Sequence, residues 1–299
     1  MIRILPELRR AIDAGEPVVA LESSVFAQGL PAPANRECVQ RMTAAVRAGG
    51  AHAAITAVAH GVPTLGLEPD ELERFLAGAG VRKVSARDLA AAVAQQADGA
   101  TTVAGSLALA HLAGLRVFAT GGIGGVHREP AFDESADLVE LSRTPMVVVC
   151  AGAKAILDLA ATAERLETLG VPVVGYRTSD LPGFYTADTG IALSSRTESA
   201  AEVARMFTAH RALGRRQALL VVQPPPAQVA LSRVEVEDAV GRAVARARAA
   251  GVRGAAVSPY LLAAVTEVTK GRSLTVNLAL LEQNAGLAAE IAAALVARP

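Results

Sequence analysis

Short apolar, β-rich runs recur along this chain, and a helical pattern separates most of them from the next. The runs are "PVVALES" (17–23), "AAITAV" (53–58), "RKVS" (82–85), "GATTVA" (99–104), "RVFAT" (116–120), "MVVVC" (146–150), "PVVGY" (172–176) and "QALLVV" (217–222). Helical patterns occupy 33–48, 69–77, 86–95, 106–112, 154–169 and 198–213. A strand that is apolar on both faces needs cover on both faces. The alternation therefore predicts an α/β fold whose sheet is buried between helices. "QPPPAQ" (223–228) interrupts the pattern. Beyond it, Ser232 and Glu235 have the spacing of a capping box, and the rest reads as a helical C-terminal region.

A length of 299 residues suits one large α/β domain or two small ones. Apolar residues make up 52% of the chain and aromatic ones only 3%, so the core must be built from Ala, Val and Leu. Net charge is zero and no basic run stands out, which argues against nucleic acid or an anionic membrane as partner. Cys38 and Cys150 give no disulfide framework and suit a reducing compartment. The opening "MIRILPELRR" lacks the apolar centre of a signal peptide. No uninterrupted apolar stretch reaches the roughly 18 residues of a membrane span. A cytoplasmic protein acting on a small molecule is expected.

In open α/β sheets, sites form where strands end and helices start. The chain holds 29 lysines and arginines, and only Lys83, Lys154 and Lys270 are lysines. Lys154 follows the buried-looking run "MVVVCAGA" at the start of a helical pattern. The helix dipole and burial both disfavour its ammonium form, leaving the neutral amine that a covalent nucleophile needs. Arginine stays protonated and cannot take that role. The alternative is a surface lysine that opens a helix. Glu22 closes "PVVALES", where it serves either as a general acid or base or as a structural carboxylate bonding loop amides.

Four further segments carry chemistry-bearing side chains. "TGGIGGVH" (120–127) lacks the third glycine of a dinucleotide loop, but it suits a loop that approaches a substrate. Within it, His127 bonds a ligand or tethers the loop. In "FDESADL" (132–138), Ser135 or Asp133 caps a short helix, and Asp133 with Asp137 also suits a hard divalent ion. Thr101 and Thr102 offer hydroxyls ahead of a helix, as a phosphate cradle would. Lys83 pairs with an anion or ends a strand in solvent. Lys270, followed by glycine, has the place of an ordinary cation at a helix C-terminus.

Read together, "VALESSVFAQGLPAPANRE", "KVSARDL", "DGATTVAGSLALAHLAGLRVFATGGIGGVHR", "SADLVELSRTPMVVVCAGAKAILD", "LETLGVPVVGYRT" and "SLTVNLALLEQNA" resemble the pseudouridine-5′-phosphate glycosidase family, also called indigoidine synthase A-like. They run in order from Pro17 to the "QNA" ending beyond Asn277, so nearly the whole chain is covered. The resemblance implies a three-layer α/β/α sandwich with a largely parallel or mixed sheet, forming a single domain over 1–299. It implies reversible cleavage of pseudouridine 5′-phosphate to uracil and ribose 5-phosphate. It also implies a homotrimer with one Mn²⁺ per subunit, Mg²⁺ being an acceptable substitute. Glu22 falls on the family's proton donor and Lys154 on its nucleophile. Lys83, Val103, Ser135, Ala136 and Asp137 fall on substrate-binding positions, Asp133 on the metal ligand, and His127 and Asn277 on further active-site positions. One departure is visible: "HREPAFDESADL" is shorter than the family's usual spacing, and Glu134 stands where isoleucine is common.

The bond at issue joins ribose C1′ to uracil C5. A departing carbon cannot hold electrons as a departing nitrogen can, so a two-carboxylate glycosidase scheme does not suffice. An amine nucleophile offers a route through an imine. Two other readings remain at this stage. One is a different Schiff-base sugar-phosphate lyase or aldolase. The other is a sugar-phosphate-binding protein without catalysis.

Overall fold

The computed structural model describes residues 2–129 and 132–297. Strand β1 (Arg3–Ile4) and helix α1 (Pro6–Asp13) lead into β2 (Val18–Leu21), whose four residues are all buried. Helix α2 (Ala34–Ala48) returns the chain to β3 (His52–Ala59). A turn at His60 and Gly61, both at positive φ, folds β4 (Val62–Leu65) back on β3. Next come α3 (Pro69–Ala77), β5 (Arg82–Val84), α4 (Leu89–Ala94), β6 (Gly99–Thr101) and α5 (Val103–Leu112). The middle of the chain holds β7 (Val117–Ala119), β8 (Val126–His127), α6 (Ala136–Arg143), β9 (Val147–Cys150), β10 (Leu157–Asp158) and α7 (Leu159–Thr168). The last part holds β11 (Val173–Tyr176), β12 (Ser195–Thr197), α8 (Ala200–Ala212), β13 (Leu219–Val222), α9 (Arg233–Ala249), α10 (Val257–Val268) and α11 (Arg272–Val296).

The main sheet runs β1-β4-β3-β2-β7-β9-β13-β11-β12, with β6 on β3 and β5 on β6. From β3 to β12 every neighbour is parallel. β3 pairs antiparallel with β4 and β6, so the sheet is mixed. The central strands β2, β9 and β13 are Val- and Leu-rich and buried on both faces, as a sheet covered by helices on both sides requires.

Connection direction then fixes the layers. β2 to β3 and β11 to β13 step one way along the sheet; β7 to β9 and β9 to β11 step the other way. Right-handed crossovers place α2 and α8 on one face and α6 and α7 on the opposite face. Helix α11 packs between α2 and α8 and over β2, β7 and β9, completing the first layer. The result is the expected α/β/α sandwich. By length and composition α11 is apolar enough to cross a membrane, yet it serves here as the core helix of that layer, with a row from Val276 to Ala292 buried against the sheet.

The step direction reverses between β2 and β7, and such a switch point opens a crevice beyond the carboxyl ends of the strands. Glu22 follows β2, Thr120 follows β7, and Lys154 follows their neighbour β9.

Two local readings are corrected. The helical pattern at 154–169 begins only at Leu159, where the Asp158 carboxylate caps it by accepting from the Ala161 N–H at 2.9 Å. Lys154 therefore lies in a loop ahead of α7 and not in its first turn. The run "GATTVA" is strand only to Thr101, because Thr102 caps α5 and Val103 is already helical. The capping box at Ser232 is half formed. Its hydroxyl accepts from the Glu235 N–H at 3.3 Å, whereas the Glu235 carboxylate pairs with Arg272.

Candidate active site

Glu22 is 5% exposed and stands where β2 ends. One carboxylate oxygen accepts the Ser24 hydroxyl at 2.6 Å and the other accepts the Thr120 hydroxyl. Behind it, Ser23 Oγ donates to the Thr56 carbonyl at 2.7 Å. Thr56, Thr101 and Ser106 complete a cluster of buried hydroxyls that locks the end of β2 to β3 and β6. Thr101 belongs to this cluster. It is fully buried, its hydroxyl donates to the Thr56 carbonyl at 2.8 Å, and it does not line the cleft. The expectation that Thr101 cradles a phosphate is thereby corrected: it supports Glu22 from behind.

Lys154 is placed by an extension of the β7–β9 ladder. Beyond both strands, the Ala151 N–H donates to the Gly121 carbonyl at 2.9 Å, and the Ile123 N–H to the Gly152 carbonyl at 3.1 Å. The Lys154 N–H then donates to the Ile123 carbonyl at 3.1 Å. Further on, β8 and β10 pair antiparallel, so the loop bearing Lys154 is bonded on both sides. Gly152 makes this path possible. Its φ is +87°, and a Cβ there would lie 2.3 Å from the Pro182 carbonyl oxygen.

Glu22, Ser24, Lys83, Lys154 and Ser258 border two adjoining chambers of one cleft. The inner chamber is lined by Gln28, Gly121, Gly122, Phe184 and Asn277, and Pro259 and Leu262 of α10 close it. The outer chamber is lined by Thr102, Val103, His127, Ser135, Ala136 and Asp137. The N-termini of α5 and α6 both open onto it, and helix N-termini favour anions. Ser135 caps α6 and Thr102 caps α5, leaving the first turns of both helices facing one space. Asp137 pins these parts together: Oδ1 accepts from the Ala104 N–H and Oδ2 from the Gly124 N–H, each at 2.9 Å.

Charge in the cleft is mixed. Much of Lys83 is accessible in the cleft, yet surrounding protein desolvates its ammonium and lowers its pKa; Lys154 pushes the same way, and Asp137 and Glu22 oppose. Burial lowers the His127 pKa, Asp133 opposes, and the two lysines reinforce the lowering. Asp133 is half-buried, and its backbone carbonyl accepts the His127 N–H at 2.9 Å. Among the described residues, no three His, Cys, Asp or Glu side chains gather as a metal site. A single carboxylate suits a Mg²⁺- or Mn²⁺-type ion that keeps most of its water, and not a caged one. Glu134 borders the outer chamber and pairs with Arg165 at 2.8 Å.

The structure thus brings Glu22, Lys83, Thr102, Val103, His127, Ser135, Ala136, Asp137, Lys154 and Asn277 to one cleft. Asp133 sits at its margin, on a neighbouring cavity that it shares with His127. Ser24, Thr120, Gln28 and Phe184 were not foreseen. Ser24 had a signal, since it stands two residues after Glu22 at the end of a strand. Phe184 had none: it arrives from a long loop after β11 and holds φ +67°.

A buried carboxylate, a loop-borne amine and two helix N-termini converge at the switch point of an α/β/α sheet, the arrangement of an enzyme site. The chain belongs to the family described as indigoidine synthase A like protein, whose model matches residues 7–294. A pseudouridine-5′-phosphate glycosidase of Gemmatimonas aurantiaca is 63% identical over 286 residues, 96% of this chain and 94% of the relative. One from Chloroflexus aurantiacus is 52% identical, covering 98% of each chain. Among solved structures, the prealnumycin C-glycosynthase AlnA in complex with ribulose 5-phosphate superposes with a TM-score of 0.92 at 39% identity, covering 99% of this chain and 97% of that one. An indigoidine synthase A-like protein from Thermotoga maritima gives 0.91 at 35%, with the same coverage.

Proposed function

We propose that this protein reversibly cleaves the C1′–C5 bond of pseudouridine 5′-phosphate, giving uracil and ribose 5-phosphate. The observation that carries the reading is the placement of Lys154 and Glu22 at the junction of two chambers, one lined by two helix N-termini and one closed by apolar side chains. Relatives of the same length bear the name of this activity, and a structural neighbour holds a pentulose phosphate.

The phosphate sits in the outer chamber, against the first turns of α5 and α6 and Lys83. C1′ then lies near Lys154 and the base enters the inner chamber. The Lys154 amine bonds to C1′ as the C1′–O4′ bond opens and O4′ takes a proton. A proton from Glu22 reaches C5 of the base. The C1′–C5 electron pair returns to the uracil ring, and the Nζ lone pair forms the C1′=N bond. Water adds to this imine and releases ribose 5-phosphate, restoring the amine. Ser24 and Thr120 hold the Glu22 carboxylate in place for both proton movements. Asp133 is the proposed holder of a largely hydrated Mn²⁺ (or Mg²⁺), which would offset phosphate charge at the cleft margin. The functional unit is proposed to be a cytoplasmic homotrimer.

The test is incubation with ribose 5-phosphate, with and without uracil and Mn²⁺, followed by borohydride reduction and peptide mass mapping. Uracil consumption and a pentose phosphate adduct on Lys154 are the expected results. The Lys154→Arg variant keeps charge and fold but should lose both. Near-normal turnover in that variant eliminates the covalent role. The aldolase and sensor readings predict no uracil consumption.

A further inference from the structure

Two residues that line the inner chamber, Gln28 and Asn277, each have a buried amide oxygen, Oε1 and Oδ1, with no hydrogen-bond partner among the described residues. Buried acceptors are almost always paired, so each is open to a donor from water or from a ligand that displaces it. Their sources are independent. Gln28 lies on the single wide turn Val25–Gly29 after β2, and Asn277 lies on the core helix α11. The Gln28 amide is not free to turn. Its Nε2 donates to the Val81 carbonyl at 3.2 Å, just before the strand that carries Lys83, which assigns Oε1 as the unpaired atom.

A uracil joined through C5 has a fixed donor pattern. N1–H and N3–H flank the C2 carbonyl, and this edge lies across the ring from C5. With C5 directed at Lys154, that edge is the part of the base that goes deepest into the inner chamber. We propose that Gln28 and Asn277 form a paired-acceptor reader of the N1–H/C2=O/N3–H edge, with Gln28 as a specificity-determining residue. The assignment rests on the glycosidase reading above. It also gives a reason for selecting the carbon-linked base. In an N1-linked uridine the glycosidic bond occupies N1, so one of the two donors is missing and one acceptor stays buried and unpaired. A site built to accept a hydrogen bond rejects ligands lacking the donor far better than an apolar pocket rejects an extra group.

The experiment runs the reaction in the synthetic direction at saturating ribose 5-phosphate, with uracil, 1-methyluracil or 3-methyluracil as the base. Wild-type protein should discriminate against both methylated bases. Gln28→Met keeps length and removes the acceptor. It should lower kcat/KM for uracil by about tenfold and leave the KM for ribose 5-phosphate unchanged. It should also collapse discrimination against one methyluracil while sparing the other. Asn277→Leu should collapse discrimination at the other nitrogen. Gln28→Met should also keep a Tm close to that of wild type, which separates loss of the hydrogen bond from loss of fold. If Gln28→Met leaves both discrimination ratios as in wild type, the reader is overturned while the glycosidase reading stands. If wild type consumes no uracil at all, both fall.

Discussion

Burial in the cleft, with Lys154 close by, raises the cost of a proton on Lys83. For Lys83, desolvation is the largest cause of its lowered pKa and the charge of Lys154 adds to it, with Asp137 and Glu22 only partly compensating. The free lysine therefore sheds its proton below the ordinary value of 10.5. A phosphate bound in the outer chamber supplies the missing negative charge and favours the protonated form. The sign follows: as pH rises towards and through the lowered Lys83 pKa, the free protein loses a positive charge that the ligand needs. The KM for ribose 5-phosphate should climb on that limb. In Lys83→Arg, which stays charged, the climb should vanish, even if affinity at neutral pH is altered. Identical pH profiles for the two proteins would remove Lys83 from phosphate binding. At this scale the sequence was informative about residue type and poor about surroundings. A rare lysine and a strand-end glutamate stand out because their chemistry is scarce in an apolar, arginine-rich chain. Thr101 was misassigned because a hydroxyl next to a helix start looks the same whether it faces a ligand or, as here, a buried hydroxyl cluster.

Loop shape, more than helix shape, positions the Lys154 amine. The ladder between β7 and β9 continues for several residues beyond the strands, through Ala151, Ile123 and Lys154. That continuation needs Gly152 at φ +87°, with the Pro182 carbonyl oxygen where a side chain would start. Gly152→Ala combines left-handed strain with a backbone clash, so it should cost at least about 1–3 kcal/mol. The expected result is a lower Tm and a kcat loss greater than the change in KM, because Lys154 shifts while the α5 and α6 cradle stays. Unchanged Tm and kcat would show that the loop tolerates another path. Most of the eight runs were legible as strands because a doubly covered sheet demands continuous apolar residues; "RKVS", with Arg82 and Lys83 exposed at the edge, is the exception. Strands β1, β4, β8, β10 and β12 were not. They are short, lie at edges or outside the main sheet, or, like β4 with Pro63, break the pattern. The start of α7 was missed for a related reason: "AGAKAI" is rich in helix formers, but tertiary hydrogen bonds to the glycine-rich loop override that propensity.

At the scale of the molecule, the cleft draws on parts far apart in the chain. Glu22 comes from β2, Lys83 from β5, Lys154 from the loop after β9 and Asn277 from α11. Such a site holds its geometry only if these parts fold as one body, and α11 is the element that joins them. It packs on α2 and α8 and across β2, β7 and β9. Asn284 on α11 donates to the Thr120 carbonyl at 2.8 Å and accepts from Gln223 at 2.9 Å, linking the chain after β7 to the chain after β13. The two cysteines report on the same question. Cys38 on α2 and Cys150 on β9 are both buried. Burial raises both thiol pKa values, that of Cys150 to about 12, so neither supplies thiolate in the folded protein. Reaction with a disulfide reagent must then wait for opening of the structure. If 1–299 is a single cooperative domain, Cys38 and Cys150 should become reactive together along a urea series, each with the slope of global unfolding. Peptide mapping of the modified thiols separates the two. If one thiol reacts at urea concentrations where the other stays protected, the chain consists of two independently opening units, and α11 is not the clamp that its packing implies.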